Sequence, residues 1–467
     1  MKKRLVLLSG LALSLVALPT TAQVGDETLP DFITHSECSM DLSGETVTIY
    51  HLGDISGSYA FITQPLLAGL ADASAYYNAH GGICGAEITQ ENRDTGGDLA
   101  QAQAAYDAFS ELDPAPDLIV LYASADAELL RDQLAEDQTP AFISAGSVEG
   151  LYNEAGEAGW IYATNPLYAD QFGMFCSYVG ANSETYPDPV IGYISWPGAF
   201  GESAFTAETL SYCAEQGVTV IETPEYFLPS ATDITTNVQN LVDAGATILY
   251  TNSLASGPAL VAATTVLLGL ENDIHVSGVN WALDTSVALL GQRSLRESDG
   301  LPSTNGLIGS LPFLWWSERS EPGIALITEQ ATANERSLQT QNIAYLLGWG
   351  LVDTYVEMYI QTVNRVGSLD AVDGVAIRET IDTMAYSPLG LYNQDYRGGE
   401  IRALPGNRIA QIAYLNATGD GPATSAEDAM LVTAPDGSQL FVPILIPLTP
   451  FDSAPDLRPG GADVPSM

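Results

Sequence analysis

Lysine is almost missing from this chain. The only two, Lys2 and Lys3, stand at its start, so the remainder cannot form a Schiff base or use a lysine general base. Cations of every kind are scarce, with 15 Lys and Arg against 58 Asp and Glu and a formal charge of −43. Nucleic acid and anionic membrane surfaces are therefore poor partners, because little would neutralise their phosphates. There are four histidines, far apart, and four cysteines without a Cys-x-x-Cys pair, a poor basis for a zinc site. Catalytic signatures are lacking too: no Gly-x-Ser-x-Gly elbow, no His-Glu-x-x-His, no Walker loop and no dinucleotide fingerprint after the first strand. Carboxylates are so abundant that no pair of them signifies an acid and a base. They are spread along the chain without a tail or a metal-spaced cluster. That reads as a solvated surface suited to a salty medium, with capture of a cation as the functional alternative.

Long apolar runs are also missing beyond the start. Lys2-Lys3-Arg4, an apolar core over Leu5–Leu18 and Thr20-Thr21-Ala22 before Gln23 compose a secretory signal over residues 1–22. The core is too short to span a membrane, no cysteine follows it for lipid attachment, and the expectation is an exported periplasmic protein without stable membrane insertion. Setting Lys2, Lys3 and Arg4 aside leaves 12 of the 15 basic residues against 58 acids, or −46, in a mature chain of about 445 residues (467 minus 22). That length suits two or three domains. A surface so acidic predicts a fold that needs salt more than that of a typical mesophilic protein.

What is present is most informative between Thr46 and Glu87. An apolar strand, Val47–Leu52, leads into the loop Gly53-Asp54-Ile55-Ser56-Gly57-Ser58-Tyr59. A helical run from about Gln64 to Asn78 follows, then the turn His80-Gly81-Gly82-Ile83-Cys84-Gly85 and a second strand near Ala86–Gln90. This is a βαβ unit, and its first loop lies at the carboxyl end of a strand, where open α/β sheets bind small ligands.

The alternation continues. Strands are expected near Asp117–Tyr122, Ala141–Ser144, Val190–Ser195, Val218–Ile221, Thr247–Tyr250 and Ile274–Ser277. Helices fill the gaps at Leu99–Ser110, Ala127–Glu136, Tyr168–Tyr178, Gly201–Glu215, Ile234–Asp243 and Pro258–Gly269. Strands apolar on both faces, joined by helices, mean parallel sheets covered by helices. Two such blocks, about Thr46–Ala163 and Thr164–Ser310, suggest two similar lobes. Ser337–Val366 is one long helical pattern whose Tyr345, Trp349, Tyr355 and Tyr359 read as core. After Leu415 the chain is rich in Pro, Gly, Ser, Asp and Ala. It has one apolar island at Leu440–Leu448, read as a strand or edge attachment, and its last 15 or so residues read as disordered. Residues 23–44 read as a leader tied down only by Cys38. Cys38 and Cys84 each precede a strand, and adjacent parallel strands would bring them together. Cys176 and Cys213 sit on helices of the second lobe. The expected disulfides are Cys38–Cys84 and Cys176–Cys213, with metal ligation as the weaker alternative. Asp94-Thr95-Gly96-Gly97-Asp98 has the look of a calcium-loop fragment, but it lacks the closing Glu, and helix capping by Asp98 explains it better.

The remaining candidates for chemistry are loops after strands on both lobes: Ser56–Tyr59, Ala123–Asp126 and Ser144–Ser147 on the first, Trp196–Phe200, Asn252-Ser253 and Asn280-Trp281 on the second. They offer hydroxyls, amides, aromatic faces and helix N-termini, where free N–H groups favour an anion. Ser124, Asp126 and Ser147 serve equally well as helix caps.

At these residues the chain resembles the type I periplasmic solute-binding proteins of ABC transporters, and among them the leucine/isoleucine/valine-binding family. The resemblance runs from about Glu45 to Leu415. It is carried by Gly53-Asp54-Ile55-Ser56-Gly57, Asn78-Ala79-His80-Gly81-Gly82-Ile83-Cys84-Gly85 and Arg93-Asp94-Thr95, with support from Ser124-Ala125-Asp126 and Ala199-Phe200-Gly201-Glu202. It implies an α/β fold of two Rossmann-like lobes with three crossovers, near Ala163–Asn165, Ile308–Leu311 and Tyr386–Leu389, and a ligand cleft between the lobes. On that scheme lobe 1 is 45–163 plus 312–388, lobe 2 is 164–311 plus 389–417, and 418–467 is an acidic Pro/Gly-rich C-terminal extension.

The implied ligand contacts are Ser56, Tyr59 and Phe61 from the first loop, Ser124, Ala125 and Asp126 after the third strand, and Ala145, Gly146 and Ser147 after the fourth. The second lobe would add Phe200, Asn252, Ser253, Asn280 and Trp281. Amino-acid binders of the family place an acid where this chain has Asn280, to pair with the ligand ammonium. Either another acid substitutes, Asp126 or Asp284, or the ligand is an amide, urea or a carboxylate. The implied protein is not an enzyme, uses no cofactor or metal, works as a monomer and delivers a small-molecule ligand to ABC transporter permease subunits. The alternatives are a sensor of the same fold feeding a signalling partner and a secreted hydrolase, for which no nucleophile or metal constellation is found.

Overall fold

The computed structural model describes residues 24–465 apart from 26, 154 and 435; the signal expected over residues 1–22 lies outside them. Two parallel sheets organise the chain. In the first, β1 (Thr46–Gly53), β2 (Glu87–Asp94), β3 (Ile119–Val120), β4 (Ala141–Ile143) and β5 (Ile161–Ala163) lie in the order β2-β1-β3-β4-β5. β1 runs parallel to β2 with Thr46 opposite Glu87, and on its other side Tyr50 faces Ile119 of β3. The second sheet repeats the plan. β6 (Val190–Ser195), β7 (Thr219–Val220), β9 (Ile248–Thr251), β10 (His275–Gly278) and β11 (Ile308–Ser310) lie in the order β7-β6-β9-β10-β11, and β8 (Glu225–Tyr226) pairs with β6. In each sheet the strand order reverses beside the first strand of the lobe, between β1 and β3 and between β6 and β9. Such a switch point parts the helices on either side and leaves a crevice at the carboxyl ends.

The short strands are apolar because helices cover both faces: every residue of β4, β5 and β9 is buried. The first lobe is stapled by α1 (Ala60–Ala79) against the long helix Ile343–Val366. Small residues set how close the two approach, since a Cβ on Gly69 would come within 2.4 Å of the Tyr345 carbonyl and one on Gly348 within 2.7 Å of the Leu66 carbonyl. The helix starts six residues later than the pattern suggested, at an Asn342 side chain that accepts from the Tyr345 N–H at 3.1 Å. Tyr345, Trp349, Tyr355 and Tyr359 are all buried in the core.

The disulfides join Cys38 to Cys84 and Cys176 to Cys213, with Cα–Cα separations of 5.6 and 5.2 Å. The leader is held by more than Cys38. His35 Nε2 lies 2.7 Å from Asp353 Oδ1, and the Ser36 N–H and hydroxyl both donate to Glu357, all on the long helix.

The C-terminal part departs most from expectation. Ile409–Tyr414 adds to the second sheet antiparallel to β11, and Pro443–Pro447, within the apolar island, adds antiparallel to that strand. The end of the described chain is ordered, in contrast to the disorder its composition suggested. Asp452-Ser453 pairs with Pro405–Asn407, and Leu457 is fully buried. Arg402, also fully buried, holds Asp456 at 2.9 Å, Glu400 at 2.9 Å and Asp170 at 3.1 Å. The third crossover is displaced for the same reason. Tyr386–Leu389 stays with the long helix, where the Tyr386 hydroxyl and the Leu389 N–H both donate to Asp353. Residues 401–403 still bond to Ala163 at the end of β5, so the chain passes to the second sheet only over residues 404–408.

Candidate functional site

The two switch points face each other, and a pocket of about 160 Å³ lies between them. The first sheet supplies Tyr59 from the loop after β1, and Tyr122, Ser124 and Ala125 from the segment after β3. The second supplies Pro197–Phe200 after β6, Leu254 after β9 and Trp281 after β10, and Tyr168 opens the helix Tyr168–Ala181. Each is placed by local chemistry. Tyr59 is set by Asp54, whose carboxylate accepts from the N–H of Gly57 and, at 2.9 Å, of Tyr59 itself. Tyr168 and Trp281 fix each other, the indole N–H donating to the Tyr168 hydroxyl at 2.9 Å. Phe200 meets Tyr168 edge-on at 5.0 Å. Tyr59 stacks on Trp196 across the lobes, 6.1 Å apart and 27° from parallel. Trp196 lines a wider outer groove of about 1300 Å³, so this ring pair separates the pocket from it.

The polar endowment is small. Ser124 is 3% exposed, and its Oγ has no partner. The Tyr122 hydroxyl is unpartnered as well. Burial, then the charges of Asp54 and Asp126, push the Tyr59 phenol up to about 12; burial first of all raises that of Tyr122. Both remain donors at neutral pH. Asp126, expected as a ligand contact, is not among the residues that line the pocket; it stands in the first turn of the helix Ser124–Glu136, is 3% exposed, and its Oδ2 is unpartnered. Burial and the neighbouring Asp54 raise its carboxyl to about 7. No Arg, Lys or His lines the pocket. His51, on β1, is fully buried, and burial pulls its imidazole down to about 4, leaving it neutral.

Of the residues expected at the site, the structure brings together Tyr59, Ser124, Ala125, Phe200 and Trp281. Ser56 is exposed, and its N–H donates to Asp94, which also takes the N–H groups of Ile55 and Gly96. Phe61 is 36% exposed in the outer groove. Ala145, Gly146 and Ser147 lie outside the pocket; Ser147 caps its own short helix, accepting from the Gly150 N–H at 3.2 Å and donating to Glu128 at 2.6 Å. Asn252 pins the loop after β6 by donating to the Phe200 carbonyl at 2.6 Å, and Ser253 pairs with Thr251 at 2.6 Å. Asn280 is fully buried outside the pocket, its N–H on Gln171 and its amide unpartnered. Tyr122 and Tyr168 were missed. Tyr122 lies two residues past the end of β3, and that placement at a switch point was the available signal.

Asp98 caps its helix by accepting from Gln101 at 3.0 Å. Among the described residues no group of three or more His, Cys, Asp or Glu is placed to hold a metal ion, and no helix is long and apolar enough to cross a membrane. A hollow of about 420 Å³ at the amino ends of β10 and β11, beside His275 and Leu307, is bounded by the second lobe alone, so lobe closure cannot act on it.

Two lobes of one plan, meeting at a pocket built from both, define a solute-binding architecture. The family model for periplasmic binding proteins matches residues 46–415, and the chain belongs to that family. No curated protein matches it in sequence. Among solved structures, it is similar to a branched-chain amino acid ABC transporter protein from Thermus thermophilus with bound valine, with 15% identity, TM-score 0.68, and coverage of 88% of this chain and 97% of that one. A fatty acid ABC transporter substrate-binding protein from Thermomonospora curvata shows 15% identity and TM-score 0.65 over 94% and 99%. A solute-binding protein from R. palustris in complex with 4-hydroxybenzoate shows 15% identity and TM-score 0.63 over 88% and 98%. At these identities the likeness establishes the fold: that of ABC transporter substrate-binding proteins, whose ligands vary.

Proposed function

We propose that this protein is an extracytoplasmic substrate-binding protein of an ABC transporter. It captures a small solute (an amino acid, an amide or a small carboxylate) between its lobes and delivers it to membrane permease subunits without chemical change. The observation that carries the reading is the pocket itself, lined by aromatic residues contributed from both sheets at their switch points. A pocket shared in this way is made and unmade by hinge motion, which couples occupancy to the shape that a permease reads. The hinge would lie where residues 164–167, 311–314 and 404–408 cross between lobes. About 160 Å³ suits one ring or a branched chain. The relatives that bind valine and 4-hydroxybenzoate are consistent with a ligand of that size.

The test is a thermal-shift screen of the purified mature protein against amino acids, amides, urea and small carboxylates. A ligand at about 100 times its dissociation constant adds roughly 2.7 kcal/mol to stability. Capture predicts a hit that Trp281→Ala abolishes. Hits that leave the Tyr59, Phe200 and Trp281 variants unaffected would place binding elsewhere and overturn the reading.

A further inference from the structure

Besides the three crossovers, a further link between the lobes is made without a covalent connection. It lies beyond residues 46–415, the part that the family model matches. Residues 448–459 leave the second lobe, follow the hinge and end on the first. They start at the second sheet, where the Leu448 N–H donates to the Ile409 carbonyl and the Thr449 hydroxyl accepts from the Ile409 N–H at 2.9 Å. Asp452-Ser453 then pairs with Pro405–Asn407, and the Ala454 N–H donates to the Leu404 carbonyl at 3.1 Å. The segment is thereby laid along the third crossover. Leu457 packs on Gly173 of the helix Tyr168–Ala181, where any side chain would collide with it. Its N–H donates to Asp170 Oδ1 at 3.0 Å, while Asp170 Oδ2 accepts from the Leu167 N–H at 3.1 Å. The same carboxylate thus ties the segment to the first crossover.

The far end is anchored on the first lobe. Arg458 Nη1 donates to the Gly156 carbonyl at 3.0 Å, in the loop before β5, and its guanidinium lies 5.2 Å from the centre of the Tyr152 ring. Gly156 has a φ of +74°, and a Cβ there would come within 2.5 Å of the Pro459 carbonyl, so the close approach depends on glycine. Asp456 takes the guanidinium of Arg402, which stays with the first lobe through the bonds of residues 401–403 to Ala163. The segment is therefore bonded to groups on both sides of the hinge. In the arrangement where all these bonds are made, the lobes also meet across the pocket, with Tyr59 stacked on Trp196.

We propose that residues 452–459 are a strap across the hinge, holding the lobes in the arrangement that forms the pocket. Opening then requires the Arg458 end to let go of the first lobe. Bonds made in one arrangement and lost in another bias the equilibrium between them, so the strap favours the closed form before any solute arrives. Arg458 is the weaker anchor, because its side chain is 32% exposed while that of Arg402 is fully buried. The proposal needs motion between the lobes and no particular solute, so a solute screen without hits leaves it standing.

The experiment uses the full mature protein without ligand. All four cysteines are paired in disulfides, so nitroxides attach selectively at Gln64→Cys and Ser230→Cys. Both residues are exposed, on opposite sides of the outer groove. Their separation is read by double electron–electron resonance. With the strap intact, one short separation should dominate. Arg458→Ala should raise the ratio of long to short separations about three- to tenfold, the value of one charge-assisted hydrogen bond discounted for a partly exposed guanidinium. Arg458→Lys, which can still donate to the Gly156 carbonyl, should restore most of the short one. A role in packing alone would lower Tm and leave the separations as they were. Identical distributions in wild type and a folded Arg458→Ala protein would overturn the proposal, and so would a wild type already mostly at the long separation. If Arg458→Ala does not fold, Arg458→Gln, which keeps the stem and loses the charge, is read by the same two criteria.

Discussion

Ser124 and Ser147 make an instructive pair. Each follows a parallel strand of the first sheet, each stands at the start of a helix, and each is buried, at 3% and 1% exposed. They end up with opposite roles. Ser147 is the N-cap of its helix, in extended backbone, and both roles of its hydroxyl are used, accepting from Gly150 and donating to Glu128. Ser124 is already the first helical residue, with Ala123 at the cap position, so its side chain makes no cap bond. The strand order explains the rest. β3 borders the switch point, and the segment after it opens on the crevice; β4 lies one strand further in, between β3 and β5. A serine at a helix start is thus a cap or part of a pocket wall according to one residue of register and one place in the sheet.

Asp126, two residues beyond Ser124, gives the largest effect with which to test the contrast. Its carboxyl is near 7 in the fold against 3.8 when unperturbed. A raised acid contributes stability that is fully present below its unfolded value and is lost as pH rises through the folded one. Between pH 4 and pH 7 the wild type should therefore lose on the order of 3 kcal/mol relative to Asp126→Asn. Parallel denaturation curves for the two across that window would refute a buried, unpaired carboxylate. Next comes Ser147→Ala, which should cost about 1 kcal/mol of stability by removing a cap and leave ligand affinity unchanged. An affinity loss there would break the contrast. Ser124→Ala should show the mirror image, with stability within about 0.5 kcal/mol of wild type and affinity lower by roughly two- to tenfold for one lost neutral hydrogen bond. The smallest effect is expected at Ser56→Ala, whose exposed side chain stands away from the pocket: no change in affinity, and stability within about 0.5 kcal/mol.

Much of the fold was legible because burial and period agree. Leu99–Ser110 and Val190–Ser195 have the bounds their patterns suggested, since an amphipathic helix and a doubly covered strand write their surroundings into the sequence. The cleft was legible as a set of loops, but its membership was not. Asn252 looks like a ligand contact by type and position, yet it lies outside the pocket lining and its amide nitrogen is spent on the Phe200 carbonyl, a partner 52 residues away. Tyr122 and Tyr168 look like the end of a strand and the start of a helix, and only the meeting of the lobes turns them into pocket walls. Composition misled at the end of the chain, where Pro, Gly and Asp spoke for disorder. The guanidinium that orders that segment belongs to Arg402, 54 residues upstream of Asp456.

That guanidinium bears on how the protein can be handled. Arg402 is bonded along β5 of one lobe, reaches Asp170 on the helix that opens the other, and takes its third carboxylate from Asp456. A chain cut before residue 456, or a reporter fused in place of the last dozen residues, would strip one carboxylate from a charge that has no access to water, and would do so beside the hinge. Fluorescent sensors built on this scaffold should therefore carry their reporter at a surface loop such as residues 417–420, all exposed, and leave the terminal segment seated.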